Sequence, residues 1–366
     1  MNNNTYSMIK YLDIASKFDL QGRIREIKPL GEGFINDTLI VRTEGDAPDY
    51  ILQRKNKSVF PDVPGMMENI WKVTNHIKKK VQDPMRETLT VVPTKDGKLY
   101  YEDEEGEYWA VCVFIADTLS YTQADTPDLA YQGRVGIGRF QELLADFHEP
   151  LVEVIKGFHN MRWRFQQWDE AVARDAAGRV AECKEEIGWI ESRRKEMLDF
   201  ATLIENGTIP CRVTHNDTKI SNILFDAKTR EVLCAIDLDT VMSATVLNDV
   251  GDPLRCYTNT GAEDAEDLST VSMSLEMFTA YIRGYLSEMG DALCPAELDY
   301  LAFSGRYITF EQVLRFLMDY LDGDTYYKIK YPNHNLVRAR AQYALLQSME
   351  AQFPQMCEIV SNVRGE

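Results

Sequence analysis

Ile9, Leu12, Ala15 and Phe18 recur at helical spacing, so the pattern opens on an amphipathic helix over 8–19. The period then shortens. Runs rich in Ile, Leu and Val at 24–30, 37–43 and 50–54 predict strands, broken by Gly31-Glu32-Gly33 and by Glu44-Gly45-Asp46. Met66, Met67, Ile70, Val73, Thr74 and Ile77 share one face of a helix over 63–81. Strands follow at 90–92, 99–102 and 108–115, with the charged stretch Asp103 to Glu107 as a solvated hairpin tip. Helical patterns dominate from there, at 129–147, 165–171, 180–204, 273–288, 295–322 and 337–363, around one β-like island at 212–239. This order predicts a β-rich domain over 1–115 and a mainly helical domain over 116–366 that carries a hairpin at 212–240.

Charge narrows the partners. Against 58 Asp and Glu stand 40 Lys and Arg, a net charge of −18 in 366 residues. Such a field repels polyanions, so nucleic acid and anionic membrane surfaces are not expected partners. No apolar run approaches the ~18 residues of a spanning helix, and the polar start Met1-Asn2-Asn3-Asn4-Thr5 is no signal peptide. The seven cysteines are scattered without a Cys-x-x-Cys pair, as in reduced thiols of a cytoplasmic protein. A monomer or weak homodimer is expected.

The candidate chemistry lies in the island. Val213-Thr214-His215-Asn216-Asp217-Thr218-Lys219-Ile220-Ser221-Asn222 is followed about fifteen residues later by Ile236-Asp237-Leu238-Asp239. The spacing is H-x-D-x-x-x-x-N and then a second carboxylate. Phosphoryl transfer needs a carboxylate to accept the attacking hydroxyl's proton, plus a carbonyl oxygen and another carboxylate for Mg²⁺. Asp217, Asn222 and Asp237 supply that set in the protein-kinase order, while His215 reads as a hydrogen-bonded buttress. An Asp-rich turn with Asx caps, or a hydrolytic pair of Asp217 with Asp237 or Asp239, would account for less of the pattern. Leu30-Gly31-Glu32-Gly33-Phe34-Ile35-Asn36-Asp37-Thr38 lies between two strands, where its glycines would let backbone approach phosphate closely. It is neither a P-loop nor a Rossmann fingerprint.

These residues resemble the aminoglycoside phosphotransferase/choline kinase family, and within it the N-acetylhexosamine 1-kinase branch. The stretches that carry the resemblance are Tyr50 to Arg54 with Asn56 and Phe60-Pro61, Arg212 to Lys219, Ile236 to Thr240, Arg315 to Leu321, Gly323-Asp324, and Lys330 to Arg338. The resemblance implies an α+β, bilobal protein-kinase-like fold with a β-rich N-lobe and a helical C-lobe. It implies transfer of the γ-phosphoryl group of ATP, with Mg²⁺, to the anomeric hydroxyl of an N-acetylhexosamine. Asp217 would be the base; Asn222 and Asp237 would hold the metal, with Asp239 supporting that shell. Gly31, Gly33, Asn36, Thr38 and Gln53, with the strand of Val111 and Val113, would bind the nucleotide. Phe34, Arg315 and Tyr326 would join Asp217 around the sugar.

Two positions depart from kinase patterns. Gln53 occupies the place of the usual phosphate-binding lysine, so the charge is either absent or supplied by Arg54 or Lys55. Phe34 stands where the hexosamine branch has a histidine. Rival readings are an aminoglycoside, choline or amino-alcohol kinase, and a catalytically silent nucleotide-binding module. A protein kinase is disfavoured, because no Ala-Pro-Glu follows Asp237.

Overall fold

The computed structural model describes residues 3–30 and 36–365. The chain divides into two compact units, the first made of Met1–Ser120, Asp146–Lys156 and Leu224–Met242. In it, helix α1 (Asn3–Ala15) precedes strands β1 (Ile24–Pro29), β2 (Asp37–Thr43) and β3 (Tyr50–Lys55). Helix α2 (Val63–Lys78) then leads to β4 (Val91–Val92), β5 (Tyr101–Glu102), β6 (Tyr108–Val113) and β7 (Thr118–Leu119). The main sheet runs β1-β2-β3-β6-β4, with β5 added on β6. Strand alternation sorts its faces. Leu39, Val41, Tyr50, Leu52, Trp109 and Val111 form an apolar core with Ile14, Ala15 and Phe18 of the α1 region. Thr38, Gln53 and Lys55 alternate with these residues and take the other face.

Helix α2 starts where Asp62 Oδ1 accepts the Gly65 N–H at 2.9 Å. It buries Met66, Met67, Ile70, Val73, Thr74 and Ile77, the face its periodicity predicted. Past residue 200 come four short strands, β8 (Arg212–Thr214), β9 (Ile223–Asp226), β10 (Val232–Ala235) and β11 (Met242–Ala244). The β9-β10 hairpin pairs with β7 through Thr118↔Asp226 and Leu119↔Phe225. That pairing draws 224–242 into the first unit, which therefore differs in extent from the expected 1–115.

The second unit comprises Tyr121–Ala145, Gly157–Ile223 and Ser243–Glu366. It is built from helices α3 (Pro127–Leu143), α4 (Met161–Arg174), α5 (Lys184–Glu205), α6 (Val246–Tyr257), α7 (Leu275–Met289), α8 (Pro295–Asp299), α9 (Leu301–Leu321), α10 (His334–Ala351) and α11 (Phe353–Gly365). Nearly all of α9 is buried, with α4, α6, α10 and α11 packed against it. The single helix expected over 337–363 is two, because Pro354 has no N–H to continue the first.

Helix α6 is not among the predicted helices, and it holds two residues of low helix propensity, Gly251 and Pro253. Both residues have structural reasons. A Cβ on Gly251 would lie 2.3 Å from the Ser304 carbonyl oxygen, so only glycine permits this approach of α6 to α9. Pro253 leaves one carbonyl of α6 without its helical donor, and the next subsection shows what takes it. No helix among the described residues is long and apolar enough to cross a membrane.

Candidate active site

The helical unit holds the loop that follows β8. Thr214 and His215 are fully buried, and Asn216 turns the chain in the left-handed region at φ 64°. Asparagine tolerates that conformation because its side chain bonds locally; here Nδ2 donates to Thr214 Oγ1 at 2.8 Å. The loop is gripped by Asp249 of α6. Its Oδ2 accepts the His215 N–H at 2.8 Å and Gln141 Nε2 at 2.8 Å, and its Oδ1 accepts the Asn216 N–H at 2.7 Å.

The Asp249 carbonyl is the one freed by Pro253, four residues on. It accepts Thr218 Oγ1 at 3.0 Å and Arg134 Nη1 at 3.2 Å. Arg134, fully buried, also donates to the Thr218 carbonyl at 2.7 Å and lies over the Tyr281 ring. An ionised carboxylate with no solvent exposure is tolerable only with such partners. Asp249 and Arg134 were not anticipated from the sequence. The proline four residues after an aspartate, inside an amphipathic stretch, was the available signal.

Held this way, Asp217 is the partly exposed member of the loop, its side chain 29% accessible. Its N–H donates to His215 Nδ1 at 3.2 Å. Asp217 Oδ2 accepts Lys219 Nζ at 2.8 Å and Asn222 Nδ2 at 3.1 Å. Asn222 Nδ2 also donates to the Asp217 carbonyl at 2.9 Å. The asparagine thus braces the aspartate through its amide nitrogen.

The first unit holds the other half of the predicted set. Asp237 sits in the left-handed region at φ 59°, opening the 3₁₀ turn Leu238–Thr240. A β-hairpin that ends on a strained non-glycine residue is typical of a functional position. Asp239 is buried, and its two oxygens accept Lys55 Nζ at 2.7 and 2.9 Å, with Asn36 Nδ2 on Oδ2 at 2.7 Å. Asp239, expected to support a metal shell, is the counter-ion of Lys55.

That lysine lies on the Gln53 face of β3. Gln53 and Lys55, two apart, share a face and are joined by a 2.7 Å hydrogen bond from Lys55 Nζ to Gln53 Oε1. Gln53 Nε2 in turn donates to Thr38 Oγ1 at 3.2 Å. Arg54 takes the other face, paired with Asp37 and Glu107. Asn36 Oδ1 accepts the Asn56 N–H at 3.1 Å. Buried Asn69 of α2 donates to the carbonyls of Val152 and Val241, both at 2.9 Å, which ties α2 to the segment carrying Asp237 and Asp239.

Asn36, Thr38, Gln53 and Asp239 are therefore gathered in one polar network. Val111 and Val113 are not part of it. Their side chains pack on the α1 face of the sheet, and the Val113 N–H is occupied by the Thr90 carbonyl at 2.9 Å. Gly31, Gly33 and Phe34 lie outside the described residues. Among the described residues, no three His, Cys, Asp or Glu side chains gather as a metal cage. Mg²⁺ on a nucleotide requires only one or two protein carboxylates beside phosphate oxygens and water.

Back in the helical unit, the Arg315 guanidinium carbon lies 5.7 Å from the Tyr326 ring centre and 5.6 Å from that of Tyr327. One turn earlier on α9, buried Glu311 accepts from Arg164 Nε at 3.2 Å and meets His159 Nδ1 at 2.7 Å. Burial opposes ionisation of Glu311, but His159 above all, with Arg164 and Arg315, outweighs it and holds the carboxyl at about 2. Burial pushes Asp252 of α6 upward, with Arg255 opposing and Asp217 reinforcing the shift.

The Glu311 shift has a pH consequence. A folded-state pKa of about 2, against 4.5 unperturbed, means stability that is present above pH 4.5 and lost as pH falls toward 2. Glu311→Gln should therefore flatten the fall of unfolding free energy over that window relative to wild type. Urea titrations at stepped pH measure it, and parallel curves for the two proteins would refute it.

Comparison with known proteins agrees with this geometry. The family model described as "Phosphotransferase enzyme family" matches residues 26–274, well over half of the chain. Among solved structures, an aminoglycoside phosphotransferase from Alicyclobacillus acidocaldarius aligns over 96% of this chain and 96% of its own, with a TM-score of 0.62 and 13% identity. A microcompartment-associated aminopropanol kinase aligns over 95% and 98%, with a TM-score of 0.64 and 15% identity. A spectinomycin phosphotransferase solved with ADP and spectinomycin aligns over 97% and 98%, with a TM-score of 0.55 and 13% identity. The fold is accordingly the α+β, protein-kinase-like fold of the aminoglycoside phosphotransferases.

Proposed function

Because the chain belongs to the phosphotransferase enzyme family, we propose that it transfers the γ-phosphoryl group of ATP to the anomeric hydroxyl of an N-acetylhexosamine, giving the sugar 1-phosphate and ADP. The observation that carries the reaction is Asp217, partly exposed on a loop whose backbone is fixed by Asp249 and Arg134. Asp217 Oδ2 is engaged by Lys219 and Asn222, which leaves Oδ1 to accept the proton of the attacking hydroxyl. As the O1–P bond forms and the bond to the β–γ bridging oxygen breaks, that proton passes to Asp217 and ADP leaves. Bound Mg²⁺ would neutralise phosphate charge, held through Asp237 and the Asn222 oxygen. Lys55 is the β3 cation suited to the phosphates, and Asp239 holds its ammonium in place. With a net charge of −18, phosphate must be attracted by such local groups. The transition state is loose, so orientation and charge neutralisation supply most of the rate.

The sugar assignment rests on Arg315 beside Tyr326 and Tyr327, and on the resemblance in Lys330 to Arg338. A guanidinium can donate to an acetamido carbonyl, while tyrosine rings cover the apolar face of a hexose. One observation favours a second reading. The Asp252 carboxyl of α6, with its side chain 24% exposed, would suit a cationic amino-alcohol or aminoglycoside acceptor. An acceptor panel separates the two readings. ADP release from MgATP is measured with N-acetylglucosamine, N-acetylgalactosamine, glucose, galactose, choline and kanamycin, and phosphorus NMR locates the new ester. Turnover with an acetamido sugar to a 1-phosphate is expected. Turnover with choline or kanamycin alone would discard the sugar and keep the phosphotransferase.

A further inference from the structure

Helix α9 ends at Leu321, and the chain reverses through Gly323 and Asp324, both at positive φ. The reversal is organised by one carboxylate. Asp319, 4% exposed, lies one turn beyond Arg315 on α9. Its Oδ1 accepts the N–H of Thr325 at 2.9 Å and of Tyr326 at 2.8 Å, and its Oδ2 accepts the N–H of Tyr327 at 3.0 Å. Oδ2 also accepts Asn335 Nδ2 at 2.8 Å, and the Asp319 carbonyl accepts the Asp324 N–H at 2.8 Å. Asn335 Nδ2 reaches Asp324 Oδ1 at 2.9 Å as well, and Asp324 Oδ2 pairs with Arg179 at 2.7 Å.

Three consecutive backbone N–H groups therefore converge on one buried carboxylate. The side chain ordered above them is the unusual part: Tyr326 is 73% exposed. An aromatic ring that buries so little area contributes little to folding, so packing of Tyr326 does not offset the conformational entropy lost in ordering this loop. Arg315, beneath it, is half-buried, its guanidinium carbon 5.7 Å from the Tyr326 ring centre and within the electrostatic reach of Glu311. A locked backbone that presents an exposed ring over a guanidinium is arranged as a preformed contact face. Ordering such a face in advance removes a cost otherwise met on binding.

We propose that Asp319 is a positioning residue for acceptor binding, presetting the Arg315–Tyr326 face through the backbone of Thr325, Tyr326 and Tyr327. The proposal rests on the reading of Arg315 and Tyr326 as acceptor contacts. Asp319→Asn tests it, because the amide must turn a donor toward N–H groups that need an acceptor. With N-acetylglucosamine as acceptor, its KM should rise about tenfold or more while kcat and the KM for MgATP stay within about twofold. A rise shared equally by both substrates, or no rise, overturns the proposal.

Tyr326→Ala, assayed alongside, separates the two layers. If it leaves the acceptor KM unchanged, the acceptor reading fails. If it raises that KM and Asp319→Asn does not, the role of Asp319 fails. Should Asp319→Asn not fold, or no acetamido sugar turn over, hydrogen exchange on the wild-type protein decides. The amides of 325–327 should exchange together, at least about tenfold more slowly than those of 328 and 329; equal rates would remove Asp319 as the clamp.

Discussion

Asp217→Asn should lower kcat by roughly 10²–10⁴-fold, the range set by loss of a general base, while the Kd for MgATP changes by less than about twofold. The amide keeps the shape of the side chain and can still bond Lys219 or Asn222, so the loop held by Asp249 should persist. It has no lone pair basic enough to take the hydroxyl proton. Single-turnover transfer and nucleotide titration on the same preparation separate the two quantities. Normal turnover would remove Asp217 from the role of base. Loss of MgATP binding in parallel with kcat would mean instead that the carboxylate organises the nucleotide.

Lys55→Met should act on stability and on nucleotide binding by different routes. The Asp239 carboxylate, with both oxygens on the ammonium and 4% of the residue exposed, would keep Asn36 alone as partner. Removing one member of a buried pair costs about 3–5 kcal/mol, which should lower Tm by on the order of 10 °C. Adding Asp239→Leu removes the stranded charge and should recover most of that loss. If Lys55 also meets the phosphates, the KM for MgATP should stay raised by at least about tenfold in the double variant. Thermal melts and ATP kinetics on the two variants measure this. Recovery of both stability and KM would confine Lys55 to a structural pair with Asp239.

Much of the scaffold was legible because its signals are local. The apolar face of α2 follows a 3.6-residue period and came out as buried. The β2 and β3 runs were readable from alternation, and their ends agree with the pattern to within a residue. Helix α6 was missed, and its Gly251 and Pro253 oppose helix by propensity. Their justification lies with Ser304 of α9 and with Thr218 and Arg134, far along the chain. Val111 and Val113 were grouped with the nucleotide-binding residues by position, and only the register of β6 against β3 shows that their side chains face the core.

The sequence by itself determined the order of chemical groups, Asp217, Asn222 and then Asp237, together with the strands and loop that display them. Spacing within a loop and period along an element are properties of neighbouring residues. Which β3 cation is buried, what holds Asp239, and which carboxylates fix the backbone of 215–216 and 325–327 were decided by tertiary structure alone. Lys55 and Asp239 stand 184 residues apart, and Asn36 and Asp239 stand 203 apart. No local pattern encodes such pairings. They arise because a buried charge or N–H must find its partner among whatever groups packing brings beside it.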